Sequence, residues 1–221
     1  IIRMADKNDG VSALRVNLNQ LPKNFTGIAS KKAVIKRKFL LIDLDPDRPK
    51  DTNSTTTDKK QSYLAALEII KELSKCSFPD PTLLIDSGNG HHIYYKLDNS
   101  YPLTNYGDNL IKVFLNCLAS SFPLAGVDKS VHDRGRVVKI AGTMARKGPH
   151  STLQPWRRAK IINQCESPPL TEHDFLHGIK FLGGKIPKKS KLTSSTPSDI
   201  TKSILNLPPE TPINKQILDE M

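Results

Sequence analysis

The sequence predicts an α+β fold, a largely antiparallel sheet with helices packed on one face, and three observations lead to it. Two short β-rich runs, Thr82 to Ser87 and His91 to Leu97, are joined by Gly88-Asn89-Gly90, and an Asn-Gly step between such runs signals a hairpin. Two segments carry apolar residues at spacings of three and four, the mark of helices with one buried stripe. Strands and helices follow one another without a strict βαβ alternation and without an internal repeat.

Residues 12–19 mix apolar and polar side chains in a strand-like pattern that ends at Gln20-Leu21-Pro22. A basic stretch with Lys31, Lys32, Lys36, Arg37 and Lys38 then runs into Phe39-Leu40-Leu41-Ile42-Asp43-Leu44-Asp45, an apolar strand ending in two carboxylates. Pro46-Asp47-Arg48-Pro49 stops it, and a loop rich in Thr and Ser leads to Asp58. The first helix is expected from Gln61 to Lys75, burying Tyr63, Leu67, Ile70 and Leu73. After the hairpin comes a second helix with the stripe Leu110, Phe114, Cys117 and Leu118, capped by Asn105 or Asp108. Residues 127–131, 136–141 and Arg157 to Asn163 read as further strands, and Thr171 to Ile179 as a short helix. Residues 1–182 are thus one catalytic-size domain. Gly, Lys, Ser and Pro dominate residues 183–198, a linker composition. Prolines 208, 209 and 212 limit residues 199–221 to a short helical extension or the start of a following domain.

With 33 Lys and Arg against 22 Asp and Glu, the 221-residue chain has a formal charge of +11, which favours a polyanionic partner. Nucleic acid is the first candidate; net charge alone does not separate it from an anionic membrane. No apolar run approaches the ~20 residues of a membrane span, and no signal peptide is present, so a soluble intracellular protein is expected. Cys76, Cys117 and Cys165 form no Cys-x-x-Cys pair and read as ordinary thiols rather than a zinc site or disulfide framework. The chain opens on Ile1 and ends at Met221 inside a helix-like pattern, which reads as a segment of something longer.

Alternation along a strand puts Asp43 and Asp45 on one face and Leu40, Ile42 and Leu44 on the other. Two carboxylates held this close repel, and a divalent cation makes the arrangement favourable. In the second hairpin strand Ile93, Tyr95 and Leu97 share the core face, so His92, Tyr94 and Lys96 point to the face that carries the carboxylates, and His91 points to the core. The turn Ser87-Gly88-Asn89-Gly90 offers backbone amides unshielded by side chains, plus a hydroxyl, for close approach to phosphate. A plain tight hairpin explains the same residues. A third acid, Asp128, precedes a segment crowded with Lys129, Arg134, Arg136, Lys139, Arg146 and Lys147. Three carboxylates beside a basic run suit nucleotidyl transfer, in which two cations stabilise the attacking and leaving oxygens. Lys139 stands inside the apolar Val137-Val138-Lys139-Ile140 and needs a partner there.

Taken in order, Leu-Ile-Asp43-Leu-Asp45-Pro, Ser87-Gly-Asn-Gly-His-His92, Val-Asp128 and Arg136-Val-Val-Lys139-Ile-Ala-Gly-Thr143-x-x-Arg-Lys147-Gly resemble the archaeo-eukaryotic primase superfamily, in particular the primase-polymerase domains of plasmid, phage and integrative-element replication proteins. The ordered set spans residues 12–165. The resemblance implies an RRM-like catalytic sheet beside a small amino-terminal α/β part, with Asp43, Asp45 and Asp128 binding two magnesium or manganese ions. It implies that Ser87 and His92 hold the incoming triphosphate, and that Arg136, Lys139, Thr143 and Lys147 match the basic third motif and its Gly-Thr tail. It further implies a single-stranded DNA template and primer, deoxy- or ribonucleoside triphosphates as substrates, a helicase in the parent chain or in trans, and a cytoplasmic bacterial, archaeal, phage or plasmid setting. Ala141 stands where the family often has proline, and the zinc-binding stem of some relatives has no counterpart, so no structural zinc is expected.

Two other readings compete. Rolling-circle replication nucleases place a histidine pair on a similar sheet, but adjacent His91 and His92 face opposite sides, whereas one metal needs His-x-His. A non-catalytic single-strand-binding module would stack bases on sheet aromatics. Tyr94 is the sole aromatic placed on the open face, and Trp156 is unassigned.

Overall fold

The computed structural model describes residues 14–189. The chain divides into two units, residues 1–188 and 189–221. The start of the expected first strand, most of the linker, and the expected carboxy-terminal extension lie outside the described residues.

The fold is α+β with antiparallel sheets, as expected. Its centre is a four-stranded sheet in the order β2 (Phe39–Leu44), β4 (His91–Lys96), β3 (Leu83–Asp86) and β8 (Lys160–Gln164), with every pair antiparallel. Two ribbons flank it in sequence. One joins β1 (Arg15–Asn17) to β5 (Val137–Lys139), and the other joins β6 (Met144–Ala145) to β7 (Arg157–Arg158). The helices are α1 (Thr56–Ser74), α2 (Asn105–Ser121) and α3 (Glu172–Phe181).

Register fixes which side chains meet. Leu40 lies opposite Tyr95, Ile42 opposite Ile93, and Leu44 opposite His91, and this side of the sheet packs into the helices. Ile69 and Leu73 of α1, Leu110, Phe114 and Leu118 of α2, and Phe175 of α3 complete that core. Phe78 stacks on Phe114 at 5.2 Å between ring centres, and Phe175 meets both edge-on. The other side presents Leu41 opposite Tyr94 and Asp43 opposite His92.

Several elements differ from expectation. Helix α1 begins five residues before Gln61, because Thr55 and Asp58 form a capping box: the Thr55 hydroxyl accepts from the Asp58 amide, and the Asp58 carboxylate accepts from the Thr55 amide at 2.8 Å. Its buried stripe is Ser62, Ala66, Ile69 and Leu73; of the expected residues Leu73 is fully buried, Tyr63 and Ile70 pack half-buried against the core, and Leu67 is exposed. Small Ser62 faces the sheet because it makes polar contacts there, donating to the Leu44 carbonyl at 3.1 Å and meeting His91 Nδ1 at 3.0 Å. Thr104, not Asn105 or Asp108, caps α2. Asp108 is instead buried among Arg37, Lys31 and Arg134, with Arg37 at 2.6 Å. Residues 127–131 form only a bridge from Val127 to Leu44 and then a 3-10 turn, Lys129–His132, because the Asp128 carboxylate accepts from the Ser130 amide and so starts a cap rather than a strand. The expected strand over residues 157–163 splits at Ala159 into β7 and β8, which join different sheets.

None of the helices among the described residues is long and apolar enough to cross a membrane.

Candidate active site

The carboxylate face of β2 forms the floor of a cleft of about 900 Å³. Asp43, Asp45, Ser87, Asn89, His92, Arg136, Lys139 and Lys147 all line it, so residues far apart in sequence converge there, while Gly88 and Gly90 are not in the lining. Arg146, named in the basic run after Asp128, lines it as well, and so do Arg15 and Arg48, which were not expected.

Asp43 and His92 are direct cross-strand neighbours, and His92 Nε2 lies 3.4 Å from Asp43 Oδ1. The other ring nitrogen meets the Tyr94 hydroxyl at 3.0 Å. His91 turns to the helical side, against Ser62 and the ring of Tyr63, where burial and the Lys59 charge push its pKa down to about 4. The two histidines therefore cannot chelate one ion, which removes the geometry a His-pair nuclease requires.

Asp45 continues the strand, its amide donating to the Gly126 carbonyl at 3.0 Å. One carboxylate oxygen accepts from Arg48 at 2.6 Å and the other from Lys147 at 3.0 Å. Burial raises its pKa, but these two hydrogen bonds and the charges behind them outweigh burial and hold the carboxyl below the ordinary range. Asp128 approaches from the side: its amide donates to the Asp43 carbonyl at 2.8 Å, while its carboxylate is engaged by Ser130. It is not among the side chains lining the cleft.

The hairpin turn is built for close packing. Gly88 has φ +92°, and a Cβ there would collide with Ala145 and the Arg157 carbonyl; at Gly90 it would collide with the Leu44 carbonyl. The turn does not offer the row of amides expected for phosphate, since Ser87 N donates to Gly90 O, Gly88 N to Asp86, and Gly90 N to the Ser87 hydroxyl. Asn89 is likewise engaged, its side chain and its carbonyl both accepting from Ser54. Ser87 and Asn89 still border the cleft, and the Ser87 carbonyl supplies the partner that Lys139 needed, at 3.1 Å.

Lys139 lies directly opposite Arg15 in the β1–β5 register. Two cations facing across a ribbon repel, and such a pair is retained at a cost unless an anion sits near it. Burial first, then Arg15, lowers the Lys139 pKa to about 8, with Asp43 and Asp45 acting the other way. Arg136 reaches the cleft with one guanidinium nitrogen on the Ser130 hydroxyl at 2.9 Å and a buried Nε that has no hydrogen-bond partner. Thr143 does not belong to the cleft lining: it is buried, and its hydroxyl donates to the Ile140 carbonyl at 2.8 Å, closing the turn between β5 and β6. Tyr94 lies on the carboxylate side but is buried, edge-on to Phe39, so it offers no stacking surface.

Asp43 and Asp45 are hard oxygen donors of the kind magnesium and manganese take, and they share one cleft, so two of the three expected ligands fit a divalent ion in chemistry and place. Among the described residues no three His, Cys, Asp or Glu side chains converge to hold an ion. Cys76, Cys117 and Cys165 are free thiols.

One residue outside the lining organises its wall. Asn53, fully buried, donates to the carbonyls of Gly148, Pro149 and Gln154 and accepts from the amides of Lys147 and Gly148. It pins the segment that presents Lys147. A polar residue in a Thr- and Ser-rich loop carries no sequence signal for such a role.

No protein-family model and no curated protein matches the sequence. Among solved structures, the chain is similar to the AEP domain of the cyanophage S-2L primase-polymerase, at 14% identity over 67% of this chain and 63% of that one, with a TM-score of 0.38. Similar too are the primase RepB' (15% identity, 77% and 42% covered, TM-score 0.39) and the catalytic domain of RepB' in complex with initiator DNA (13%, 77% and 65%, TM-score 0.36). The chain spans 42% to 65% of the length of those structures.

Proposed function

We infer that the chain is the nucleotidyl-transfer domain of a DNA primase-polymerase, making or extending primers on single-stranded DNA from nucleoside triphosphates. The observation that carries this reading is the charge arrangement of one cleft: two carboxylates, Asp43 on β2 and Asp45 just past its end, with Arg15, Arg136, Lys139 and Lys147 around them. Carboxylates alone would suit a cation store, and cations alone would suit any polyanion. Their combination suits a triphosphate delivered with its metal.

Asp43 and Asp45, with Asp128 adjoining, would hold magnesium or manganese, which when bound supplies the positive charge at the reacting phosphate and lowers the pKa of the attacking 3′-hydroxyl. Lys139 and Arg15 meet the negative charge of the triphosphate, which relieves their mutual repulsion. His92 turns Nε2 toward Asp43 on the cleft floor while its Nδ1 meets the Tyr94 hydroxyl, which orients the ring. Burial keeps Tyr94 protonated throughout the physiological range, which preserves that role. Arg48 and Lys147 keep Asp45 ionised. No side chain of the cleft needs to act as a base. A helicase in the same longer chain or in trans would supply the unwound template.

The test is gel-resolved incorporation of labelled deoxy- and ribonucleotides on a single-stranded template with magnesium or manganese, with and without a primer, comparing wild type with Asp43→Ala/Asp45→Ala. Metal-dependent products lost in the double variant support the reading, and products without primer add de novo priming. Equal inactivity of both proteins, with metal-independent template binding intact, would replace it with a binding module.

A further inference from the structure

Trp156 is exposed beside Arg146, a residue of the cleft lining, although it is the one tryptophan of the chain and a large apolar surface. It follows directly on from the ribbon that pairs Ala145 with Arg157, so Arg146 and Trp156 lie across from each other just beyond the ribbon's last register pair. The Arg146 guanidinium carbon sits 4.5 Å from the centre of the indole, and His150 meets the ring edge-on at 5.5 Å. A cation spread over an indole is itself a flat, positively charged platform.

The platform is held in place. The indole N–H donates to the Gly148 carbonyl at 2.7 Å and the Trp156 amide to His150 Nδ1 at 3.0 Å, while buried Asn53 ties down Gly148 and Gln154 on either side. It also adjoins the chemistry, because Arg146 and neighbouring Lys147 line the cleft and Lys147 holds Asp45.

We propose that Trp156, backed by Arg146, is the stacking platform on which an unpaired base of single-stranded DNA rests as it enters the cleft. The inference rests on the polymerase reading above and supplies the template contact that reading lacks. Every base has a face that stacks on an indole, so the platform takes template without regard to sequence, and the surrounding cations, Arg157 and Arg158 among them, complement the phosphates. A tryptophan present only to pack its own loop would make the same hydrogen bond to Gly148, and the experiment separates the two roles.

The presence of one tryptophan gives a direct signal. Emission of the full chain is followed while unlabelled oligo-deoxythymidine is added, and oligonucleotide affinity is measured for wild type, Trp156→Ala and Trp156→Phe. In parallel, binding of a fluorescent deoxynucleoside triphosphate with manganese is read from the polarisation of the nucleotide. The expected result is a change in tryptophan emission, oligonucleotide binding weakened about tenfold in Trp156→Ala and much less in Trp156→Phe, and unchanged triphosphate binding in both. Oligonucleotide affinity equal to wild type in Trp156→Ala would overturn the platform. Triphosphate binding without any oligonucleotide binding by wild type would also overturn it while leaving the nucleotide site standing. Failure of both ligands to bind would remove the polymerase reading along with it.

Discussion

Lys139 and Arg15 face each other across the β1–β5 ribbon, and among the described residues no acid forms an ion pair with either. With its pKa near 8 against an ordinary 10.5, Lys139 is protonated below pH 8 and neutral above it. Between those two values the unfolded chain keeps a proton that the folded chain has lost, so this group destabilises the fold at lower pH, and that cost fades as pH rises toward 10.5. Anion binding runs the other way, because the charge that attracts a triphosphate disappears above pH 8. Triphosphate affinity measured without divalent cation should therefore fall as pH rises through 8, by up to about tenfold, and Lys139→Arg should flatten the profile because guanidinium stays charged. A profile identical in wild type and Lys139→Arg would count against a role for this lysine. Asn53 gives a second prediction at this scale. Asn53→Ala leaves three carbonyls and two amides of the Lys147 segment without their partner, and a loss of about 3 kcal/mol in denaturant unfolding is expected.

At the scale of elements, period-two alternation was legible wherever a strand buries one face fully. Leu40, Ile42 and Leu44 against Asp43 on β2, and Ile93 and Tyr95 against His92 on β4, follow the sequence directly because a one-residue slip would bury the carboxylate. Helix α1 was less legible. Its apolar residues outnumber the positions that face the sheet, and small Ser62 and Ala66 take the buried stripe in place of Tyr63 and Leu67. Its start was written in Thr55-x-x-Asp58, a pattern hidden in a loop rich in Thr and Ser. Thr55→Ala should cost about 1 kcal/mol in thermal or denaturant unfolding while leaving the cleft unchanged, since only the cap is lost. The cations Arg15 and Arg48 were not legible as cleft residues. Arg15 reaches the cleft only through the pairing of β1 with β5, segments more than a hundred residues apart, and no local pattern announces that contact. Conversely Thr143, named from motif order, is consumed by the turn it closes.

For the molecule as a whole, the sheet separates two environments. The helical side holds the apolar core together with His91 and the Lys59–Asp86 pair, while the opposite side gathers Asp43, Asp45, His92 and the basic lining of one cleft. The charge of +11 is thus not spread evenly in its consequences, because part of it converges on Asp43 and Asp45 in one cleft. On the reading proposed above, this face is a metal and triphosphate site. Manganese uptake, followed by loss of the free-ion electron paramagnetic resonance signal with a non-hydrolysable triphosphate present, tests it most directly in wild type and in Asp43→Asn/Asp45→Asn. The expected result is uptake by wild type that rises with the triphosphate and is lost in the double variant while its melting temperature shows it folded. Equal uptake by both proteins would contradict it.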